Sequence, residues 1–271
     1  MLVSNLNGQR IEAAEAVKGP EYHCPNCAAG VVLKKGRIVT HHFAHKPPIV
    51  CGWGRGETDA HRTAKRLFKE EFVSRGLRSE VESEVASLPN DRRADVLVWS
   101  PGGHRFALEL QHVPIGYEEL EQRTRSYMLA DVRVIWVPFF RQELWRQAEV
   151  LGATDEGDFR IEKFPARPLE KWLHGFNFGE LWMYDPHDTC LWKAKLDKHQ
   201  SYVEETSWYS ADGNEEYAGG YWKTSKRWRE LTLWGPYNLE AVRVAEMCRP
   251  EKEIGNHRYP GGKAGKFVLD S

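Results

Sequence analysis

Two cysteines and two histidines near the start of the chain have the types and the spacing of zinc ligands. Cys24 and Cys27 are separated by two residues, and so are His42 and His45, with fourteen residues between the pairs. Structural zinc ions are held by four such sulfur and nitrogen ligands, which leave no open position for catalysis. The spacing therefore predicts a structural zinc ion held by these four side chains.

Two further residues, His41 and Cys51, are spare candidates if the ligand assignment is shifted along the chain. The alternative to zinc is a redox-active Cys-x-x-Cys pair beside two unrelated histidines. About 50 residues with few large apolar side chains bury too little surface to fold alone, and a bound metal supplies the missing folding energy. We therefore expect zinc in this segment.

A second set of candidate residues lies in two apolar stretches further along the chain. Asp95 belongs to RRADVLV and Glu109 to FALELQ, with Gln111 two residues beyond it on the same side of the strand. An acid in an apolar strand is costly to bury unless its charge is compensated. Two carboxylates on neighbouring strands can share Mg²⁺ or Mn²⁺, which activates water and stabilises the charge on a scissile phosphate. The alternative is pairing of these acids with nearby arginines, namely Arg92, Arg93 or Arg105.

Polar residues four apart mark one face of each of two predicted helices. Glu57, His61 and Lys65 share a face of the first helix, and Arg123 and Tyr127 share a face of the second. The first group either completes the metal site or places a carboxylate near the helix N-terminus with an ordinary i,i+4 pair. The second group either contacts a phosphate backbone, braces the site, or lies on the surface without a further role.

The elements that carry these residues follow from hydrophobic periodicity. Residues 57–76 show apolar side chains at three- and four-residue spacing, which predicts a helix that ends near Gly76. A strand, a hairpin around SPGG, a helix in GYEELEQRTRSYMLA and a buried strand in VRVIWVPF follow in that order. A hairpin joined by a helical crossover to a further strand makes a mixed sheet. The predicted fold class is α/β (α+β).

Composition divides the chain into three predicted regions. Residues 1–50 form a small zinc-binding β element with a hairpin in GVVLKKGRIVTHHFAH, and 45–56 are rich enough in proline and glycine to predict a linker. Residues 51–140 form the mixed core. Residues 141–271 form a β-rich region that holds eight of the eleven tryptophans, and its tail, GNHRYPGGKAGKF, is predicted to lack packed structure of its own.

Composition also excludes several classes of protein. With 41% hydrophobic and 28% charged residues and no long apolar run, the chain is typical of a globular protein without a membrane span. The first residues do not resemble a signal peptide, and an odd number of cysteines favours a reducing compartment, so we expect a cytoplasmic protein. The net charge of −1 does not mark a nucleic-acid binder, but residues 31–78 hold eleven basic and four acidic side chains. Such a segment can neutralise phosphates.

Six short motifs occur in an order that resembles a known family. They are Cys-Pro-x-Cys, HFAH, the helix stripe that starts at Glu57, RADV, ALELQ, and the pair Arg123 and Tyr127, within residues 20–138. This order is similar to that of the competence protein CoiA-like family, which is associated with the PD-(D/E)XK nuclease superfamily. No single motif is specific, whereas the six in this order are.

The resemblance implies a restriction-endonuclease-like PD-(D/E)XK core in which Asp95 and Glu109 bind the catalytic Mg²⁺ or Mn²⁺. Gln111 takes the place of the superfamily's usual lysine and positions the attacking water, which leaves Lys65 or Arg93 to supply the cation. Glu57 is the expected third acid, with His61 and Lys65 beside it. The rivals of Glu57 for that position are Glu82 and Glu84.

The resemblance also assigns the other polar residues. The zinc ligands Cys24, Cys27, His42 and His45 match the family's N-terminal element. The residues expected to contact DNA are Arg62, Arg93, Arg123 and Tyr127.

The resulting hypothesis is a cytoplasmic, metal-dependent deoxyribonuclease that acts in DNA processing or recombination, or in defence against foreign DNA. One rival is a zinc-stabilised DNA-binding module that no longer cuts, which Gln111 and the near-neutral net charge favour. Another rival is an interaction protein that binds a protein partner through its tryptophan-rich half. The aromatic residues of that half either fill a core and form a partner surface or stack single-stranded bases.

Overall fold

A computed structural model describes residues 1–48, 51–53, 56–154, 157–255 and 257–270. Four residues of the predicted linker, Ile49, Val50, Gly54 and Arg55, lie outside this part of the chain, so the contribution of Arg55 to the basic segment is not described. The division of the chain at residues 50 and 140 stays a prediction.

The N-terminal segment forms a five-stranded antiparallel sheet in the order β2-β1-β3-β4-β5. Its strands are β1 (Val3–Leu6), β2 (Gln9–Glu12), β3 (Tyr22–His23), β4 (Gly30–Lys34) and β5 (His42–His45). The predicted hairpin is confirmed, since Val31 of β4 pairs with His45 of β5. A small apolar core lies under the sheet, where the rings of Tyr22 and Phe43 are 5.0 Å apart.

The predicted order of helix, three strands, helix and strand is confirmed. The elements are α1 (Asp59–Ser74), β6 (Arg78–Val85), β7 (Arg92–Trp99), β8 (Arg105–Gln111), α2 (Tyr117–Leu129) and β9 (Val132–Pro138). They form a four-stranded mixed sheet, in which β6, β7 and β8 are antiparallel neighbours and β9 runs parallel to β8. We call this the central sheet.

The two helices cover opposite faces of the central sheet because its strands are apolar on both sides. Val96 and Val98 of β7 pack in one buried cluster with Phe68 of α1. Leu97, between them, packs in a second cluster with Leu120 of α2. Alternating side chains on a strand point to alternate faces, so a strand buried on both sides needs a covering layer on each.

The chain beyond the central sheet is rich in strands, as predicted. After a 3₁₀ turn at Gln142–Gln147 come β10 (Glu149–Thr154), β11 (Gly157–Ile161), α3 (Pro168–Phe176), β12 (Glu180–Asp185), β13 (Cys190–Val203), β14 (Thr206–Tyr209), β15 (Glu215–Ala218) and β16 (Tyr221–Tyr237). Five of these strands form a sheet in the order β10-β11-β16-β13-β12. The sheet adjoins the central one where the amide of Phe140 donates to the carbonyl of Tyr184 at 2.8 Å. Helix α3 was not predicted.

The three helices are 16, 13 and 9 residues long. Within the described residues, none of them combines the length and the apolar character that a bilayer crossing requires.

The prediction that the tail is unpacked is wrong. After a 3₁₀ turn at Leu239–Ala241 come β17 (Val242–Arg249), β18 (Lys252–Ile254), β19 (His257–Tyr259) and β20 (Gly262–Leu269). Phe267 of β20 is only 1% exposed and stacks on Phe68 of α1 with ring centroids 6.2 Å apart. Gly265 lies so close to the central sheet that an added Cβ would be 2.5 Å from Ile135 Cγ1. The glycines that suggest a loop are therefore packing requirements.

We predict that Phe267→Ala lowers the free energy of unfolding by about 3–5 kcal/mol, because the truncation leaves a cavity between α1 and β20. Urea denaturation followed by circular dichroism measures this loss. Leu269→Ala, in the same strand but 39% exposed, is the control and should cost much less. Equal small losses in both variants would show that β20 does not pack on α1.

Candidate functional site

Three cysteines and one histidine meet at the end of the N-terminal sheet. The ligand atoms of Cys24, Cys27, His45 and Cys51 all lie within 4.8 Å of one another. Cys27 Sγ is 3.3 Å from His45 Nε2, and Cys24 Sγ is 3.9 Å from Cys51 Sγ. Three sulfurs and one imidazole match the donor set of a structural zinc site, so the residues present fit the metal.

A tight turn after β3 brings the first two cysteines together. The amide of Ala28 donates to the carbonyl of Cys24 at 2.9 Å, and Ala28 adopts a φ of 56°, which reverses the chain. Burial raises the pKa of the Cys24 thiol to about 11. A zinc ion at this site would take the thiolate in place of the proton, so the folding of the turn and the binding of the metal would depend on one another.

The structure corrects one of the predicted zinc ligands. His42 and His45 are three residues apart on β5, so their side chains point to opposite faces of the strand. His42 Nδ1 lies 2.8 Å from the carbonyl oxygen of Thr40, outside the cluster. Cys51, one of the two spare candidates, takes the fourth position, while the other, His41, bonds to the carbonyl of Gly36 at 3.1 Å.

Three acids, of which two are buried and Asp95 is half-buried, lie side by side on β6, β7 and β8. Asp95 lies between Ala94 and Val96, whose partners on β6 are Ser83 and Val81, so it faces Glu82. On the other side Val96 pairs with Leu108, which places Glu109 next to Asp95. Glu82 and Glu109 are 2% and 1% exposed. We call these three residues the carboxylate row. The sequence brings Asp95 and Glu109 together as predicted, and Glu82 joins them.

Lys65 of α1 lies fully buried against this row. Its Nζ contacts Glu57, lies 2.5 Å from Glu82 Oε1 and 3.9 Å from Asp95 Oδ1. Burial by itself would lower the pKa of Lys65, but the three carboxylates raise it above the usual lysine value. The side chain is therefore a permanent positive charge in the site.

Glu57 is joined to the row through Lys65, which contacts both Glu57 and Glu82. It precedes Thr58, the residue that caps α1, and so lies before the helix and not in its first turn. Its carboxylate contacts Lys65 and the amino group of Met1, the latter at 2.8 Å. Burial would raise the pKa of Glu57, but these two cations lower it to about 2. Glu82, which faces Asp95 directly, is the better placed third acid.

His61 holds Asp95 from the helix side. His61 Nε2 is 3.1 Å from Asp95 Oδ2, and that same oxygen accepts the amide of Leu110 at 2.9 Å. Burial would raise the pKa of Asp95, but the charge of His61, its hydrogen bond and the Lys65 charge lower it to about 2. Asp95 is therefore ionised throughout the neutral range.

Glu109 is held from the other face by the two residues predicted to share a side of α2. Arg123 and Tyr127 both contact its carboxylate. The pKa of Glu109 is raised, chiefly by burial. The charge of Arg123 lowers this pKa, and the charge of Asp95 raises it further. Burial and the charge of Glu109 also raise the pKa of Tyr127 well above its usual value. Tyr127 is thus a neutral hydrogen-bond donor.

The predicted DNA-contacting residues fall into two groups. Tyr127 is fully buried, so the prediction that it contacts DNA is wrong and its position is that of a brace for Glu109. Arg62 lies at the start of α1, where its guanidinium donates to the carbonyl of Glu57 at 2.8 Å. Arg93 lies over the ring of Trp53 at 4.2 Å, and Arg123 is 21% exposed.

Two residues of the site were missed or ranked too low by the sequence. His112 follows Gln111, and its ring lies 4.4 Å from that of His61, while burial and the His61 charge lower its pKa. No periodic signal marks it. Glu82 adopts a φ of 49°, which interrupts the regular alternation of β6 and hides which face the side chain reaches. The Gln111 amide donates to the carbonyl of Val113 at 2.8 Å.

The carboxylate row offers the donor chemistry that a hard divalent cation would take. Its three members offer hard oxygen donors from neighbouring strands, the type that Mg²⁺ and Mn²⁺ take. Glu82 Oε2 is buried, and within the described residues it has no hydrogen-bond partner. The mutual repulsion of Asp95 and Glu109, which contributes to the raised pKa of Glu109, is what a shared cation relieves.

Comparison with known proteins gives one curated relative. The chain is 39% identical over 57 residues to "Druantia protein DruB" from Escherichia coli (strain UMEA 4076-1), a match that covers 21% of this chain and 9% of that protein. No solved structure matches the chain.

Two family models match consecutive parts of the chain. The model for "Competence protein CoiA, N-terminal domain" matches residues 5–53, which hold the cysteine and histidine cluster. The model for "Competence protein CoiA, nuclease-like domain" matches residues 57–195, which hold the carboxylate row. The second match alone covers half of the chain, and the chain therefore belongs to the competence protein CoiA-like family.

Proposed function

We propose that the protein is a metal-dependent nuclease that hydrolyses phosphodiester bonds of DNA. The observation that carries the proposal is the carboxylate row, in which Glu82, Asp95 and Glu109 adjoin on neighbouring strands of the nuclease-like region. We further propose that residues 51–140 form a PD-(D/E)XK core, since a helix, an antiparallel hairpin and a parallel strand reached through a second helix surround that row.

In this proposal Asp95 and Glu109, joined by Glu82, hold Mg²⁺ or Mn²⁺. The cation supplies an activated water and charge stabilisation at the scissile phosphate. The amide nitrogen of Gln111 is engaged by Val113, which leaves its side-chain oxygen to accept a hydrogen bond from the attacking water. Lys65 holds Asp95 and Glu82 in place and provides the fixed positive charge that Gln111 lacks. Arg123 and Tyr127 fix the position of Glu109.

Further parts of the proposal concern the setting of the site. The cluster of Cys24, Cys27, His45 and Cys51 binds zinc and holds the N-terminal element together. The basic residues that hold the DNA backbone are the exposed ones of residues 31–78, the half-buried Arg62 of the same segment, and Arg93. Their contacts do not depend on sequence. A cytoplasmic location is part of the proposal, since an odd number of cysteines is typical of a reducing compartment.

A non-cleaving nucleic-acid-binding module is the second candidate. Both oxygens of Glu109 are engaged by Arg123 and Tyr127, so binding a cation requires at least one of these contacts to be released. The residue at 111 is also a glutamine, which brings no charge to the transition state. For the interaction-protein candidate the tryptophan-rich half is divided, since Trp172, Trp182 and Trp192 are buried whereas Trp208 and Trp222 are exposed.

We predict that the protein cleaves labelled single- or double-stranded DNA in the presence of Mn²⁺ or Mg²⁺. Asp95→Asn and Glu109→Gln should each lower the rate by at least about 100-fold, because each removes a charged metal ligand. Glu84→Gln, an exposed acid on β6, is the matched control and should cleave at the wild-type rate. Melting curves confirm that each variant is folded.

The outcomes separate the candidates. DNA retained in a mobility-shift assay without cleavage by any variant would favour the non-cleaving module. Cleavage that survives Asp95→Asn and Glu109→Gln would remove the carboxylate row from the active site.

We predict that elemental analysis finds about one zinc ion per chain, held by the three cysteines and His45. Cys51→Ser should lose most of this zinc and His42→Ala should retain it, because Cys51 is a member of the cluster and His42 is not. The two variants are controls for one another. Loss of zinc in His42→Ala with full occupancy in Cys51→Ser would restore the ligand set expected from the sequence.

We predict that the acid limb of the pH profile of kcat/KM reports ionisation of Glu109, since Asp95 titrates near 2 and the pKa of Glu109 is raised. The hydrogen bond from Tyr127 lowers the pKa of Glu109, so Tyr127→Phe should move this limb to higher pH by about one unit. An unchanged limb in Tyr127→Phe would show that another group controls it.

A further inference from the structure

Strands β13 and β16 continue beyond the sheet as a two-stranded arm. Within the described residues β12 pairs only with the first part of β13, as far as Lys195, and β11 pairs only with Leu231–Leu233 of β16. Farther out, Lys198 pairs with Trp228 and Val203 with Tyr221, and the short strands β14 and β15 form the tip. We call residues 198–228 the arm. Most of it lies outside any buried cluster of the molecule.

The arm carries a concentration of exposed aromatic side chains. All are at least 46% exposed, and they are Tyr202, Trp208, Tyr209, Tyr217, Tyr221 and Trp222. Two of them, Tyr202 and Trp222, face each other across the strands with ring centroids 5.4 Å apart. Exposed aromatic surface of this extent is costly in water and marks a place where a ligand binds.

A basic groove of about 900 Å³ lies at the base of the arm. None of its lining residues is acidic, and six of them have basic side chains, namely Lys171, His199, Lys223, Lys226, Arg227 and Arg229. His199 lies 3.1 Å from Glu230, whereas among the described residues no ion pair is formed by the lysines and arginines of this groove. By contrast, Lys193 and Lys195 of β13 pair with Glu180 at 2.8 Å and Asp197 at 3.0 Å.

The unpaired lysines and arginines of the groove, together with the exposed rings of Tyr202 and Trp222, match the chemistry of a polyanion with flat bases. The rings at the tip lie among exposed acids and are not part of this site; these acids are Glu204, Glu205, Asp212, Glu215 and Glu216. Phosphates take up the positive charge, and each unpaired base offers a face for stacking, which contributes about 1–3 kcal/mol per base. A peptide of aspartate or glutamate would satisfy the cations but offers no flat surface to the rings of Tyr202 and Trp222. We propose that the base of the arm binds single-stranded nucleic acid, with phosphates in the groove and bases on Tyr202 and Trp222.

The geometry of the arm favours a single strand over a duplex. Tyr202 lies opposite Trp222 and Ser201 lies opposite Lys223, so the aromatic pair and Lys223 point to opposite faces. A ligand that reaches both must bend around the edge of an arm only two strands wide. A single strand does so readily, whereas duplex DNA with a persistence length of about 50 nm does not.

This inference rests on the proposed function for the identity of the ligand and adds to it the form of the substrate. The arm begins after residue 195, where the match to the nuclease-like domain ends. Binding can be measured without cleavage, so that a failure of either proposal is recognised separately.

The test measures binding of a labelled oligonucleotide and of its duplex by fluorescence anisotropy, without added magnesium or manganese. Lys223→Ala/Lys226→Ala/Arg227→Ala should weaken single-strand binding at least 10-fold and reduce the salt slope by about 2. Tyr202→Ala/Trp222→Ala should weaken binding by about 10-fold or more with an unchanged slope, and Trp222→Phe should restore most of it. Lys18→Ala/Lys252→Ala/Lys266→Ala, with equal charge loss at exposed positions off the arm, is the control.

Each outcome decides the inference. Equal affinity for strand and duplex, an equal effect of the control, competition by polyglutamate as strong as by the oligonucleotide, or no binding by the wild type would overturn it. Hydrolysis of bis(4-nitrophenyl) phosphate with Mn²⁺ tests the catalytic site independently. Normal hydrolysis by the groove variant, together with lost binding, supports both proposals. Binding by the arm without any hydrolysis supports the arm and removes the nuclease.

Discussion

The buried ammonium group of Lys65 is the interaction on which the candidate site depends. It contacts Glu57, Glu82 and Asp95, which belong to three separate segments of the chain. A buried charge is tolerated only when it is compensated, and removing one partner leaves the others unpaired at a cost of about 3–5 kcal/mol. This requirement fixes the approach of α1 to the strands that carry the acids. The same contacts keep Asp95 and Glu82 ionised, and an ionised carboxylate is what a divalent cation binds.

The N-terminal cluster is connected to this network through a short path. The amide of Trp53 donates to Cys51 Sγ at 3.4 Å, and the ring of Trp53 lies under Arg93, two residues from Asp95. A second connection comes from Lys69 of α1, which lies 2.6 Å from Glu12 of β2. A metal bound by the cluster would therefore stabilise more than its own loop. It would hold the segment that leads into α1, and with it the position of the candidate catalytic acids.

Sequence patterns predict the helices and strands of the central sheet well, because the periodicity that marks each of them lies within a short stretch of the chain. Periodicity identified both helices and the hairpin, and apolar strands interrupted by single acids identified Asp95 and Glu109. The failures have physical causes. Spacing favours His42 as a ligand, whereas the alternation of β5 separates His42 from His45 and leaves the fourth position to Cys51. The left-handed backbone of Glu82 hides the face that its side chain reaches. The glycines of the tail favour a loop, whereas the close approach of Gly265 to Ile135 depends on residues distant in the sequence.

The position of Lys65 offers a reason why residue 111 is a neutral glutamine. A lysine at that position would place a second ammonium beside a row that Lys65 already occupies from the helix side. Arg93, the other candidate cation, lies over the ring of Trp53 at 4.2 Å, and its charge helps to lower the pKa of Glu82, but within the described residues it forms no ion pair with the row. We infer that Lys65 supplies the positive charge and that a neutral, hydrogen-bonding side chain suffices at 111. The positive charge beside the carboxylates then comes from Lys65 of α1 instead of from a lysine on β8, and the electrostatic stabilisation is kept.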